Sequence, residues 1–314
     1  MSVDSLIIRH RPTKLNQIIG QDEVVLSFQS ALKNRTSHGF LFTGPSGVGK
    51  TTMAYIGARM VGAKQNDIIE RDAASYSGKD DMRALVEVLR YRPLGKVKVV
   101  LLEEVHRLSP AAWDAALKML EQPPDWVYWF LTTTDASKVP DAIATRCIRY
   151  ALKPVRVSLL LEFLDTIVEV EKFDTPRQII ELCAKTAEGS PRRALSNLAA
   201  CYAAEDRAEA ARLIADFELK EAGTPYALAR AIADGWRWDK IQPLLKSLSE
   251  EGANAESIRQ TVRAYVTTCL LDMKDEGSFC KGLKILDEFS TSFNAADGIS
   301  PVILAVGRVL YGNK

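Results

Sequence analysis

The spacing of apolar residues changes character near residue 150. Before it, short apolar runs alternate with stretches of helical period. Gly39–Thr43 (GFLFT) and Lys98–Leu102 (KVVLL) are nearly continuous apolar runs, the signature of strands covered on both faces. Asp67–Asp72 and Trp126–Thr132 read as two further strands. Between them, residues 15–34 read as a loop and an amphipathic helix, and Lys50–Val61 as a helix. Asp80–Tyr91 is a helix with Met82, Leu85, Val86 and Leu89 on one face. Ser109 supplies an N-cap and Pro110 suits the first helical position, so a helix runs from there to about Glu121, ahead of Pro123 and Pro124. Strands alternating with helices in this way predict a parallel, doubly wound sheet.

Beyond Tyr150 the strand signal ends, and Pro154 marks a linker. Helical spacing then recurs at 157–171, 175–187, 191–204, 207–214, 224–234, 238–249, 254–272, 279–291 and 300–311. The expected organisation is α/β plus all-α: an α/β domain over 1–152, a small helical domain over 153–214 and a second helical domain over 215–314. No internal repeat or low-complexity segment interrupts it.

Composition narrows the class. The 314 residues are 47% hydrophobic and 26% charged, as in soluble globular proteins. No run approaches the ~18 apolar residues of a membrane span, and the N-terminal MSVDSLIIRHRP lacks the apolar core of a secretory signal. The expectation is a soluble, cytoplasmic protein with no membrane partner. The five cysteines are scattered with no CxxC pair, and there are three histidines, which excludes a zinc framework and fits a reducing compartment. Residues 1–152 carry net +4 and residues 153–314 net −3. Any nucleic-acid contact must therefore come from locally segregated charge, not from a basic tail.

The chemistry concentrates in two motifs. Gly44-Pro45-Ser46-Gly47-Val48-Gly49-Lys50-Thr51 satisfies G-x-x-x-x-G-K-[ST] between an apolar strand and a helix. Its glycines let backbone N–H groups turn in around phosphates at a helix N-terminus. Lys50 is placed to neutralise the β/γ-phosphates, and Thr51, followed by Thr52, to ligate Mg²⁺. ATP and Mg²⁺ are the expected cofactors. The second motif is the strand Val99–Leu102 running into Glu103 and Glu104. The first acid holds the metal and the second polarises the attacking water. An aspartate is usual at the first position; Glu103 adds a methylene, which displaces its carboxylate by ~1.5 Å in a reaction where positioning is most of the catalysis.

Taken in order, the glycine-rich loop, EEVHRLSPAAWDAALKMLEQPP, LTTTD, ATRC and EGSPRRALSNL resemble the AAA+ ATPase subunits of sliding-clamp loaders over residues 5–200. These include bacterial gamma/tau, the small subunits of replication factor C and the large subunit of T4-type phage loaders. Over 215–314 the likeness reduces to a helical collar of matching length. The resemblance implies roles by position. Arg9, Arg11 and Pro12 match the segment beside the nucleotide base, and Gly20-Gln21 the family's Gly-Gln turn. Thr134 falls on sensor 1, with Thr133 as the alternative register. Arg146, in Thr145-Arg146-Cys147, matches the arginine that reaches a neighbouring subunit's γ-phosphate. Arg192 matches sensor 2 acting in cis, with Arg193 as its competitor. Arg83, Lys118, Lys79 and Arg107, with Ser77 nearby, match positions that track a DNA backbone, through phosphate contacts without sequence information.

The resemblance implies an ATPase subunit of a pentameric ring or spiral, with other loader subunits, a ring clamp and primer–template DNA as partners, in a bacterium or a phage-infected cell. Two other readings stand beside it: a non-hydrolysing structural subunit of the same assembly, and another AAA+ DNA motor such as a branch-migration helicase. The end of helix 80–91 (Leu89, Tyr91) is the candidate clamp contact. Of Trp113, Trp126, Trp129, Trp236 and Trp238, four lie beside apolar helix or strand positions, so packing and not base stacking is expected of these residues, and His106 has no assigned role.

Overall fold

The computed structural model describes residues 3–221, 223–250, 252–271, 275–294 and 298–312. It divides into two compact units, Met1–Ala211 and Arg212–Lys314.

In the first unit, α1 (Val3–Arg9) and α2 (Asp22–Asn34) precede β1 (Gly39–Thr43) and α3 (Lys50–Met60). Then come β2 (Ile68–Asp72), α4 (Lys79–Leu89), β3 (Lys98–Glu103), α5 (Pro110–Glu121), β4 (Val127–Thr133), α6 (Asp141–Ala144) and β5 (Ile148–Ala151). The five strands form one parallel sheet in the order β2-β3-β4-β1-β5. Successive side chains of a strand face opposite ways, and the core obeys this. Leu41, Val100, Leu102, Trp129 and Leu131 enter the layer under α4 and α5, with Met82, Leu85, Leu89 and Trp113. Phe40, Phe42, Val99, Leu101, Tyr128 and Phe130 enter the layer under α2 and α3, with Phe28, Met53 and Ile56. Phe28 stands edge-on to Phe40, Phe42, Phe130 and Tyr150 at 5.1–6.1 Å. Covering both faces leaves the carboxyl ends of the strands as the edge where polar groups can gather.

Three helices follow: α7 (Val157–Glu171), α8 (Arg177–Thr186) and α9 (Pro191–Cys201). Ser190 caps α9 by accepting from Arg193 N–H, with Pro191 at its first position. α10 (Arg207–Glu221) contains the boundary between the units.

The second unit is built from α11 (Gly223–Ala233), α12 (Trp238–Glu250), α13 (Ala255–Leu271), α14 (Glu276–Glu288) and α15 (Ser300–Tyr311) around Leu228, Ile241, Ile258, Val262, Phe289 and Val306. Arg259 is buried among them. It donates to the carbonyls of Phe289 (3.0 Å) and Ser290 (3.3 Å), beyond the C-terminus of α14, and pairs with Glu256 at 2.5 Å. Glu256 also accepts from Phe293 N–H at 2.9 Å.

The last strand is β5, which the apolar spacing does not announce, since Arg149 interrupts it. α1 and α6 are likewise absent from the sequence reading, and α10 is longer than its 207–214 signal. The end of the 254–272 helix at residue 272 lies outside the described residues. Trp113 and Trp129 are core residues, and Trp126 and Trp238 pack against the cores, as expected. Trp236 is exposed.

Two stability outcomes follow. Phe28→Ala removes the ring on which the α2–α3 layer closes and should cost about 3–5 kcal/mol, read as a lowered denaturant midpoint for the first unit. Hydrogen bonds from Arg259 first, and from Phe293 N–H, hold the Glu256 carboxyl down to about 2. A depressed carboxylate adds stability above its unfolded value, which is lost as the pH falls towards the folded one. Glu256→Gln should therefore flatten the fall in stability of the second unit between about pH 4.5 and pH 2, measured by denaturant titration at a series of pH values.

Candidate nucleotide site

The loop after β1 wraps the N-terminus of α3. Gly44, Gly47 and Gly49 all have positive φ (137°, 75° and 108°). At Gly47 a Cβ would stand 2.1 Å from Ser190 Oγ, and at Gly44 one would stand 2.3 Å from the Leu152 carbonyl oxygen. Only glycine permits both this backbone and this approach. The loop borders a cavity of about 610 Å³ lined by Ser46, Gly47, Val48, Gly49, Lys50, Thr51 and Thr52, by Glu70, Glu103 and Glu104, by Arg11 and Pro12, and by Pro191, Arg192 and Leu195.

Lys50 is 6% exposed, and its Nζ donates to the carbonyls of Gly44 (2.8 Å) and Pro45 (2.7 Å). Burial lowers its pKa, and the carboxylates of Glu104 and Glu103 oppose the shift. Glu103, half-buried at the end of β3, is raised by burial and by the carboxyl of Glu70. The Thr51 hydroxyl, hydrogen-bonded to it, and the Arg11 guanidinium pull the other way. These groups fit Mg²⁺ and nucleotide phosphates: hydroxyl and carboxylate oxygens suit a hard cation, and the three glycines of the loop let backbone N–H groups turn towards phosphate oxygens.

Glu104 adopts a left-handed conformation (φ 49°), which turns it out of the strand. Its carboxylate accepts from Thr134 Oγ1 at 3.0 Å and lies 3.3 Å from His106 Nδ1. Thr133 is buried and contacts His106 Nδ1 at 3.0 Å through its hydroxyl. Thr134 is therefore the threonine that touches the second acid, and Thr133 acts one step behind it.

The two arginine alternatives also separate. Arg192 lines the cavity, with its N–H 3.5 Å from the Gly47 carbonyl oxygen. Arg193 pairs with Glu188 at 2.6 Å. Arg146 is exposed, outside the cavity lining, and is bonded to Glu121 and to the Ala142 carbonyl. Arg9 also lies outside the lining; it pairs with Glu171 of α7 at 3.0 Å, beside His10 on the same carboxylate at 2.6 Å. Glu70 is an acid of the cavity that sequence reasoning missed, as it missed His10 and Leu195 in the same lining.

Away from the cavity, Ser109 donates its N–H and hydroxyl to the Ser77 carbonyl, setting the N-termini of α4 and α5 side by side. Lys79, Arg83 and Arg107 are exposed near these helix starts, with Arg83 beside Asp80 at 3.6 Å, and Lys118 is exposed in the last turn of α5. The expectation at the end of α4 needs correction. Leu89 is fully buried, because it belongs to the inward stripe with Met82 and Leu85. The exposed apolar side chains are Val88 (48%), Tyr91 (67%) and Leu94 (77%). Buried Lys98 holds this loop by donating to the Val88 and Tyr91 carbonyls, and buried Asp67 by accepting from Leu94 and Gly95 N–H groups.

Sheet order, loop and acids define an AAA+ P-loop nucleotide-binding fold. Solved structures of Thermotoga maritima RuvB, titled a Holliday junction branch migration motor, share it. One matches with TM-score 0.53 and 21% identity over 71% of this chain and 79% of that one, and a variant with 0.55 and 20% over 83% and 91%. At that identity the likeness is one of fold.

Within the class, the chain resembles the DNA polymerase III gamma/tau subunits of clamp loaders. It is 33% identical to the tau subunit of Bacillus subtilis over 221 residues (63% of this chain, 39% of that protein). It is 34% identical to the tau subunit of Escherichia coli over 219 residues (62% and 34%), and 32% identical to the gamma subunit of Buchnera aphidicola subsp. Baizongia pistaciae over 219 residues (62% and 59%). The chain thus spans about a third of the tau proteins it matches and about three-fifths of the gamma protein. A family model described as DNA polymerase III, delta subunit, matches residues 63–156. Among the described residues, no helix is long and apolar enough to cross a membrane.

Lys50→Ala should weaken binding of a fluorescent ATP analogue by about 10- to 100-fold, the range of a hydrogen bond to a charged group, with the far-ultraviolet circular dichroism unchanged.

Proposed function

We propose that the chain is the ATP-hydrolysing subunit of a sliding-clamp loader, in which ATP opens a ring clamp and loads it on primer–template DNA. The observation that carries this reading is the separation of the two arginines. Arg192 faces the chain's own cavity, whereas Arg146 is exposed and outside it. An arginine in that place completes a phosphate site on a neighbouring molecule, which ties hydrolysis to assembly. The resemblance to gamma/tau subunits supports it.

In this reading residues 1–152 are the nucleotide-binding domain, 153–214 the lid and 215–314 the collar of a pentameric ring or spiral in the cytoplasm. Arg11 and Pro12 border the base, with Arg9 behind them on Glu171. Lys50 and Arg192 hold phosphate oxygens from the same chain, and Arg146 from the next. Thr51 and Glu103 hold Mg²⁺, which supplies charge neutralisation between the phosphates. Glu104 orients the attacking water, and Thr134 and His106 restrain its carboxylate. Lys79, Arg83, Arg107 and Lys118 contact DNA phosphates, where affinity falls with salt. Val88, Tyr91 and Leu94 form the apolar contact for the clamp.

The test is steady-state ATP hydrolysis by the purified chain alone, with primed DNA, and with sliding clamp and partner subunits added. Strong stimulation is expected only in the complete mixture, and Arg146→Ala should abolish it with a fall of about 10³-fold or more in kcat while leaving nucleotide affinity intact. Nucleotide binding without hydrolysis in every mixture would transfer the reading to a structural subunit. Hydrolysis driven by branched DNA without a clamp would transfer it to a branch-migration motor.

A further inference from the structure

Glu103 carries one methylene more than the aspartate usual at its position, so its carboxylate has an additional rotation to be fixed before it can face a cation beside Thr51. The structure holds a device for fixing it. In the β2–β3 register Ile68 lies opposite Val99, Glu70 opposite Leu101 and Asp72 opposite Glu103. Val99 and Leu101 enter the layer under α3, and Ile68 packs against that same layer. Period-two alternation then puts Glu70 and Glu103 on the α3 side of the sheet. Both line the nucleotide cavity.

From the facing helix, Thr51 and Tyr55 stand four residues apart, one turn on the same face. Thr51 meets Glu103, and the Tyr55 hydroxyl donates to Glu70 Oε2. On the Tyr55 ring lies the Arg11 guanidinium, 5.0 Å from the centroid. Helix residues 51 and 55 thus form two rungs with strand residues 103 and 70.

We propose that Glu70, tied back by Tyr55, is a positioning residue that blocks the sideways swing of Glu103 and directs its carboxylate to Thr51. This rests on the reading of the cavity as a Mg²⁺–nucleotide site. The longer acid at the end of β3 is usable because the neighbouring strand and the turn after Thr51 supply its stop. Tyr55 sets the stop without touching metal or nucleotide.

The full chain is titrated with a fluorescent ATP analogue in excess EDTA and then across Mg²⁺ concentrations, as wild type, Tyr55→Phe and Glu70→Gln, each with Glu103 and with Glu103→Asp. Affinity in EDTA should stay within about twofold, and the half-saturating Mg²⁺ concentration should rise about tenfold in Glu70→Gln, the scale of losses from residues behind a metal ligand. Tyr55→Phe, which changes no charge, should produce a smaller rise in the same direction. In the Glu103→Asp background the Tyr55→Phe rise should shrink to within about twofold, as expected of coupled neighbours. Equal losses with and without Mg²⁺, an unshifted Mg²⁺ dependence, or the same shift in the Glu103→Asp background would overturn the proposal. A wild type that binds no analogue in either condition would overturn the site reading with it.

Discussion

The alternation of side chains along a covered parallel strand decides where each acid of the site can point. With Val99 and Leu101 committed to one apolar layer and Val100 and Leu102 to the other, Glu103 at the strand's end has one side available, that of α3 and the glycine-rich loop. Glu104 would be directed to the opposite layer if the strand continued. Its left-handed backbone breaks the alternation and brings the carboxylate to Thr134 and the cavity. Left-handed conformation is uncommon for a residue with a side chain, and here it sends two adjacent acids to different partners. The same alternation, read across the ladder, brings Glu70 to Glu103.

The cavity is closed by a second set of elements in the first unit. Ser190 and Arg192 come from the start of α9 and meet the loop at Gly47, while Glu171 of α7 holds Arg9 and His10 next to Arg11. Gln21 exchanges hydrogen bonds with the backbone of Lys153, and Val155 N–H donates to the Gly189 carbonyl. The glycine-rich loop end and the α1 end of the cavity are therefore both set by contacts with the helices after Pro154. A nucleotide that touches the loop and Arg192 together is sensitive to the placement of those helices, and its binding favours the placement that completes the site.

Much of this was legible in the sequence because it rests on local rules. The P-loop pattern fixes its own strand–loop–helix context. Ser109-Pro110 marks one helix start and the helical spacing another at 191, and the structure begins helices at Pro110 and Pro191. What escaped depends on partners distant in the chain. β5 is short, at the sheet's edge, with Arg149 inside it, so its pairing with β1 decides it more than its own pattern does. Glu70 reads as an ordinary acid in an unremarkable strand until the β2–β3 register is known. Leu89 and Val88 differ by one residue, and about 100° of helix rotation separates a core position from a displayed one. The members of the threonine and arginine doublets part in the same way: Thr134 touches Glu104 and buried Thr133 touches His106, while Arg192 lines the cavity and Arg193 pairs with Glu188.

In the proposed loader, Arg146 is the residue that links the single chain to an assembly. A guanidinium cannot be neutralised by losing its proton, so it needs an anionic partner wherever it is held away from water. In this structure Glu121, at the end of α5, is that partner, and both side chains remain about one-third exposed. An exposed pair of this kind contributes little to stability, so a phosphate oxygen offered by another molecule can replace the carboxylate at small cost. The pairing keeps the arginine oriented without committing it. α5 begins beside α4, where Lys79 and Arg83 lie, and ends at the acid that holds Arg146. The helix that carries Lys118 is thus also the one that positions the arginine.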